Sequence, residues 1–149
     1  MIRYASYGSP CGKLEIGYDE AIVSLRRIDV SLHPHDPAPL SDLAAVQLGE
    51  YFAGHRKIFD LPLGPMGTPF QMAVWKALQD IPYGETRSYR DIAAAIGNPA
   101  ACRAVGMACN KNPIWILIPC HRVVGSSRSL TGYAGGLDMK RTLLELEQR

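Results

Sequence analysis

Asn112-Pro113-Ile114-Trp115-Ile116-Leu117-Ile118-Pro119-Cys120-His121-Arg122-Val123-Val124 is the stretch on which the reading of this 149-residue chain turns. Ile114 to Ile118 is apolar, rich in β-branched residues and bounded by prolines, which predicts a short buried strand rather than an amphipathic helix. Such a strand delivers a thiol, an imidazole and a guanidinium into a turn at the end of a rigid element, where sites are commonly held. Free cysteine usually behaves as a small buried hydrophobe, and that reading suits Cys102 and Cys109. Cys120 differs because His121 and Arg122 follow it, and nearby positive charge lowers a thiol pKa from about 8.5 toward the nucleophilic thiolate.

Upstream, Arg3 to Tyr7, Leu14 to Tyr18 and Ala21 to Ile28 are short β-type runs separated by turn residues, so they predict a small antiparallel sheet. His33 to Pro39 holds three prolines without periodicity and reads as a loop. Ser41 then caps a helix with a face of Ala44, Leu48, Tyr51 and Phe52, ending near Gly54. Leu61 to Gly67 carries two prolines and two glycines and reads as a linker. The expected organisation is a β-rich support domain over residues 1–67 and a second domain over 68–149.

The second domain opens with Thr68-Pro69, an N-cap followed by proline at the first helical position. Phe70, Ala73, Val74, Ala77, Leu78 and Ile81 make one apolar stripe. Ser88 and Asp91 form a capping pair for a helix carrying Tyr89, Ile92, Ala93 and Ile96, and Gly97 ends it. Asn98-Pro99 predicts another helix about two residues later, a tight pair of the helix-turn-helix kind. Ala101, Ala104, Val105 and Ala108 are its expected inner face, with Arg103, Gly106, Met107 and Asn110 outward. A last helix, Asp138 to Gln148, packs through Met139, Leu143 and Leu146, and Glu147 is placed to turn inward. The fold class is α/β in the α+β sense: a small antiparallel sheet with a helix, then a mostly helical domain with a short active-site strand.

Composition is that of a soluble globular protein, with 47% apolar and 20% charged residues. Residues 1–67 carry six Lys or Arg against eight Asp or Glu, and 68–149 carry ten against six. The basic half is therefore the one suited to an anionic partner. The start of the chain has no apolar signal core and no long apolar run follows, so a cytoplasmic protein without membrane attachment is expected. Cysteines at 11, 102, 109 and 120 lack the paired spacing of a zinc cage or disulfide framework. His33, His35 and His55 with Cys11 read as exposed bystanders rather than metal ligands, so no metal and no cofactor is expected.

Pro119-Cys120-His121-Arg122-Val123, preceded by Asn112-Pro113 and the isoleucine-rich run, resembles the active-site signature of the methylated-DNA protein-cysteine methyltransferases, the O6-alkylguanine-DNA alkyltransferases. The resemblance spans Pro69 to Glu147 and includes Gly84, Ser88-Tyr89, Arg103-Ala104-Val105-Gly106 and Tyr133-Ala134-Gly135-Gly136. It implies repair of O6-alkylguanine, and of O4-alkylthymine as an allied substrate, by alkyl transfer from duplex DNA to Cys120. Such a protein acts once, as a monomer without obligate protein partner, on a nucleotide flipped out through the minor groove. The resemblance makes Cys120 the nucleophile, His121 a base acting through a water, Glu147 its orienting carboxylate, Asn112 the holder of the turn and Tyr89 a donor to the base. Arg103 fills the gap in the stack, with Gly106 and Ala104 beside it against DNA. Tyr133 lines the base pocket, and Leu130, Trp75 and Val123 are grouped with it as pocket candidates. Ala134 stands where some members have serine.

The chemistry needs four things: a thiolate, a base, a donor to the leaving purine, and access to a base hidden in the stack. Two other readings stand beside it. A non-catalytic protein that binds alkylated DNA would lack the cysteine, and Cys120 is present. A cysteine hydrolase built on Cys120 and His121 leaves Arg103, Gly106 and the helical pair without purpose.

Overall fold

The computed structural model describes residues 1–126 and 129–149. The chain divides into two compact units, Met1–Met66 and Gly67–Arg149. The first holds strands β1 (Arg3–Tyr7), β2 (Leu14–Tyr18) and β3 (Ile22–Arg27) and helix α1 (Pro39–Phe52). The second holds α2 (Pro69–Gln79), β4 (Arg87–Ser88), α3 (Tyr89–Ala95), α4 (Cys102–Asn110), a 3-10 turn (Cys120–Arg122), β5 (Val123–Val124) and α5 (Leu137–Leu146). The class is α+β, with a small antiparallel sheet and five α-helices among the described residues.

In the first unit β2 lies between β1 and β3, pairing Arg3 with Tyr18 and Leu14 with Arg27. All five β2 residues are buried, including Glu15, whose carboxylate is met by Arg26 at 3.6 Å and His33 at 3.4 Å. His33 also stacks on Tyr4 with ring centroids 3.7 Å apart, and Ser6 donates its N–H to His35 Nδ1 at 3.1 Å. These histidines are therefore fastened to the sheet instead of being bystanders, because a buried carboxylate and an edge N–H each need a partner. Helix α1 begins at Pro39, two residues before the expected cap. Ser41 sits inside its first turn, accepting from Ala38 N–H at 2.9 Å and donating to its carbonyl at 3.0 Å. All of the expected linker but Gly67 belongs to this unit as well, and Ile22 N–H donates to the Pro62 carbonyl while the Ile22 carbonyl accepts from Gly64 N–H, each at 2.8 Å.

In the second unit the two capping pairs form as their sequences imply. Thr68 and Gln71 cap α2 reciprocally, and Ser88 and Asp91 cap α3. Helix α4 starts at Cys102, later than Asn98-Pro99 suggests. Gly97, at φ 76°, ends α3, and residues 98–101 make a separate turn closed by Ala101 N–H on the Asn98 carbonyl at 3.0 Å. Proline at 99 disfavours helical backbone at 98, and no side chain caps Ala101. Val105, Ala108 and Cys109 form the buried face of α4, at helical spacing i, i+3, i+4. Ala104 is exposed, contrary to expectation, because that triplet turns it off the face. A two-residue parallel ladder, Arg87 with Val123 and Ser88 with Val124, joins the start of α3 to the end of the 3-10 turn.

Residues 114 and 116–118 are buried and Trp115 half-buried, but the segment is not a strand. Leu117 N–H donates to the Trp115 carbonyl at 2.7 Å across Ile116, whose φ is 71°, and Cys120 N–H donates to the Ile118 carbonyl at 2.8 Å across Pro119. These are a γ-turn and an inverse γ-turn, joined by an Ile118 N–H bond to the Ile114 carbonyl at 3.0 Å. Apolar content placed the segment in the core correctly. Among the described residues no named strand pairs with the segment, and these three bonds close within it.

At Gly17, where β2 bulges, a Cβ would overlap Ser24 Oγ and approach the Tyr4 ring at 3.0 Å. Gly17→Ala should therefore lower stability in chemical denaturation by roughly 1–3 kcal/mol. Adding Ser24→Ala, which deletes the obstructing hydroxyl, should return part of the loss.

Candidate active site

Asn112 follows α4 and its side chain organises the coiled segment. Its Oδ1 accepts from Ile114 N–H at 3.0 Å, and its Nδ2 donates to the Ile118 carbonyl at 2.9 Å and lies 3.2 Å from Cys120 Sγ. The thiol is thus placed by the amide that shapes the turn beneath it. Cys120 is 5% exposed, and burial pushes its thiol up to about 11, against the opposing pull of the Asn112 bond and of Lys140. The expected ready-made thiolate is therefore corrected. Arg122, whose charge suggested it, is engaged elsewhere.

Arg122 and His121 share one buried carboxylate. Glu147, just past the end of α5, receives Arg122 Nε at 2.8 Å on one oxygen and Arg122 Nη2 at 3.0 Å on the other. His121 Nε2 lies 2.7 Å from the second oxygen, and Arg122 Nη1 donates to the Ile81 carbonyl at 2.7 Å. A carboxylate accepts, so Nε2 carries the proton and Nδ1 presents its lone pair. That Nδ1 is buried and makes no hydrogen bond among the described residues. Burial outweighs Glu147 and holds the His121 pKa below the ordinary range. Cys120 and His121 occupy a 3-10 turn, which fans adjacent side chains by about 120° instead of the opposite directions of an extended strand.

Tyr89 opens α3 and is half-buried, its hydroxyl 2.9 Å from Thr131 Oγ1. Gly106 of α4 faces the Tyr89 ring, where a Cβ would sit at 3.9 Å, so it is half-buried and not outward. Arg103 and Ala104 on the same helix are exposed. Two residues that the sequence reading did not single out as site residues complete the surroundings. Lys140 is fully buried and donates to the Val123 carbonyl at 2.6 Å and the Thr131 carbonyl at 2.8 Å. Its position, three before Leu143 on the inner face of α5, was the available signal. Trp115 packs its ring 5.9 Å from that of Tyr133 and donates to the Asn112 carbonyl at 3.1 Å.

The four pocket candidates separate. Tyr133 is buried next to Trp115, over Gly135, where a Cβ would come within 2.8 Å of its ring. Trp75 is 2% exposed and donates to the Ala108 carbonyl at 2.8 Å, so it packs in the core between α2 and α4. Val123 is likewise wholly buried, in β5. Leu130 borders a hollow of about 400 Å³ with Gly84, Arg87, Val124 and Gln148, which includes neither Cys120 nor Tyr89. The glycine- and serine-rich stretch 125–136 reads from its sequence as a loop, and its Ser127 and Arg128 lie outside the described residues. Among the described residues, no group of three or more His, Cys, Asp or Glu is placed to hold a metal ion.

Sequence models of two domains match the chain: "6-O-methylguanine DNA methyltransferase, ribonuclease-like domain" over residues 2–65 and "6-O-methylguanine DNA methyltransferase, DNA binding domain" over 69–149. The chain belongs to the 6-O-methylguanine DNA methyltransferase family. Among relatives of this family, the methylated-DNA–protein-cysteine methyltransferase of Mycolicibacterium paratuberculosis is 52% identical, the match covering 100% of this chain and 94% of that one. The constitutive one of Bacillus subtilis is 56% identical, with 99% and 96% covered. The crystal structure of the Mycobacterium tuberculosis O6-methylguanine methyltransferase is 48% identical and superposes with a TM-score of 0.91, covering 99% of this chain and 93% of that one. The M. tuberculosis OGT in complex with DNA is 49% identical, with a TM-score of 0.90 and 97% and 92% covered.

The depressed His121 pKa carries a stability consequence for this family member. The unfolded chain takes up a proton near pH 6.5, whereas the folded one resists it, so the unfolded state binds more protons as pH falls. Melting temperature should drop as pH goes below about 6.5. His121→Asn should remove the part of that drop that sets in just below about pH 6.5, measured by calorimetry at fixed ionic strength.

Proposed function

We propose that this chain repairs duplex DNA by transferring the alkyl group of O6-alkylguanine, and of O4-alkylthymine, to Cys120 in a single irreversible turnover. The observation that carries the proposal is the pairing of a buried thiol held by Asn112 with a histidine whose proton-bearing nitrogen is fixed by Glu147. Family membership and the relatives' names support the substrate.

In the reaction the sulfur attacks the alkyl carbon in line with the oxygen it leaves. An S–C bond forms, the C–O bond breaks, and its electron pair stays on the purine oxygen. The thiol proton passes through one bridging water to His121 Nδ1, and the purine takes up one proton to become guanine. Because burial disfavours both the thiolate and the imidazolium, the resting pair is neutral, and the proton moves when substrate arrives. Tyr89 donates to the flipped base, and Tyr133 and Trp115 wall it. Helix α4 enters the minor groove with Gly106 and Ala104 close to the backbone. Exposed Arg103 replaces the extruded base in the stack, a role suited to its planar, permanent cation. The second unit holds all of these residues, and the first serves as support. A monomer in the cytoplasm, where thiols stay reduced, fits a protein whose nucleophile is used once. A purely lesion-sensing role leaves the Asn112–Cys120 contact without purpose.

Incubation with a duplex containing O6-methylguanine should raise the intact mass by one methyl, localised to Cys120. Turnover that continues without loss of the Cys120 thiol would contradict the proposal. Cys120→Ala should abolish transfer while keeping duplex affinity. Arg103→Ala should slow transfer from duplex far more than from a free modified base, since unstacking costs a few kcal/mol only when a stack exists.

The product carries its own prediction. Cys120 sits in a packed site, so an added methyl overpacks it at a cost of roughly 1–3 kcal/mol. Stoichiometrically methylated protein should melt at a lower temperature than free protein, and an unchanged melting temperature would mean that the sulfur faces open space.

A further inference from the structure

The loop between β5 and α5 contributes a side chain that the chemistry above does not use. Thr131 Oγ1 lies 2.9 Å from the Tyr89 hydroxyl, while the Thr131 carbonyl accepts from buried Lys140 at 2.8 Å. The same Lys140 ammonium donates to the Val123 carbonyl at 2.6 Å, so it ties the threonine's backbone to the strand that follows the reactive turn. On its third side the Thr131 methyl faces Gly125, where a Cβ would approach it at 3.0 Å. Backbone, methyl and hydroxyl are each held, and a β-branched side chain has few rotamers with which to escape.

Two hydroxyls at hydrogen-bond distance can share one proton in either direction, because each can donate and accept. The direction decides what Tyr89 offers outward. If the tyrosine donated to Thr131, its proton would be spent inside the protein, and a purine nitrogen in front of it would meet a lone pair. If Thr131 donates, the phenolic proton is left for that nitrogen. A hydroxyl that accepts one hydrogen bond also donates the next one more strongly. Among the described residues Thr131 Oγ1 has no other hydrogen bond competing for its proton.

We propose that Thr131 is a positioning residue for alkyl transfer: its hydroxyl donates to the Tyr89 oxygen and so presents the tyrosine's proton to the acceptor nitrogen of the leaving purine. The inference rests on the reading that Tyr89 contacts the flipped base. The same bond favours the phenolate, and it opposes the upward push that burial gives the Tyr89 pKa. The device is therefore an electrostatic bias on the donor that faces the leaving group, not a further contact with DNA.

The test is a double-mutant cycle read by single-turnover methyl transfer from an O6-methylguanine duplex, with duplex affinity measured alongside. Thr131→Val keeps the shape and removes the hydroxyl, and it should slow transfer about tenfold, the rate equivalent of one neutral hydrogen bond. Affinity for the duplex should be unchanged. Thr131→Ser, which keeps the hydroxyl, should transfer at close to the wild-type rate. In a Tyr89→Phe background Thr131→Val should have no further effect, because the proton that it directs is gone. A merely structural role would not vanish with the phenol. Wild-type rates in Thr131→Val, or losses that multiply in the double variant, overturn the inference and leave the proposed function standing. Absence of transfer by the wild-type protein overturns both.

Discussion

A carboxylate buried as deeply as Glu147 stays ionised only if its oxygens are well supplied with donors, and here Arg122, His121 and, at 3.5 Å, the Gly84 N–H converge on it. Arg122 gives two parallel bonds and His121 a third. Removing one partner of such a cluster typically costs roughly 3–5 kcal/mol, because the remaining charge is stranded in the interior. The cluster ties the end of α5 to the 3-10 turn across 25 and 26 residues of sequence. It also fixes which imidazole nitrogen holds the proton. The structural staple and the chemical assignment are thus one interaction: the same oxygen that anchors the helix turns His121 Nδ1 into a base.

The second constraint is backbone accounting. Prolines at 113 and 119 remove two donors, and among the described residues the segment between them pairs with no named strand. Asn112 fills the gap with an amide that accepts from one end of the segment and donates to the other. The cost is visible at Ile116, a β-branched residue at φ 71°, a conformation costing on the order of 1–3 kcal/mol. Strain of that size persists only where the surroundings over-determine it, and here the surroundings are the core side chains of Ile114, Ile116 and Ile118. The donor left over on the Asn112 amide is the one aimed at Cys120 Sγ.

What the sequence conveyed divides along physical lines. Local chemistry was legible: the Thr68 cap, the Ser88–Asp91 capping pair, the helix stop at Gly97 and the strands β1 and β2 follow from nearest-neighbour rules. Burial of residues 114–118 was legible too, but not its conformation, since apolar content says that a segment is inside and not how its hydrogen bonds close. Partners distant in sequence were legible only through family resemblance. Glu147 reaching His121 is one such pair, and nothing local to Arg122 reveals that its charge is absorbed by the same carboxylate. Lys140 and Thr131 escaped notice because their roles run through backbone carbonyls and a hydroxyl pair, which leave no pattern in the chain.

The polarity of Cys120 ties these threads together. Adjacent His121 and Arg122 suggested a standing thiolate, yet the fold spends Arg122 on Glu147 and buries the sulfur, so the thiol rests neutral, its pKa near 11. A neutral resting thiol resists oxidation and stray alkylation, both of which follow thiolate character and exposure. For a thiol that the proposed reaction would spend only once, this matters more than speed at rest. Activation then requires both a proton acceptor close by and the arrival of a substrate whose departing electron pair can be stabilised. His121 Nδ1, fixed by Glu147, supplies the first, and the Tyr89 hydroxyl is placed for the second. Reactivity is in this way conditional on a correctly seated base, and the condition is imposed by burial.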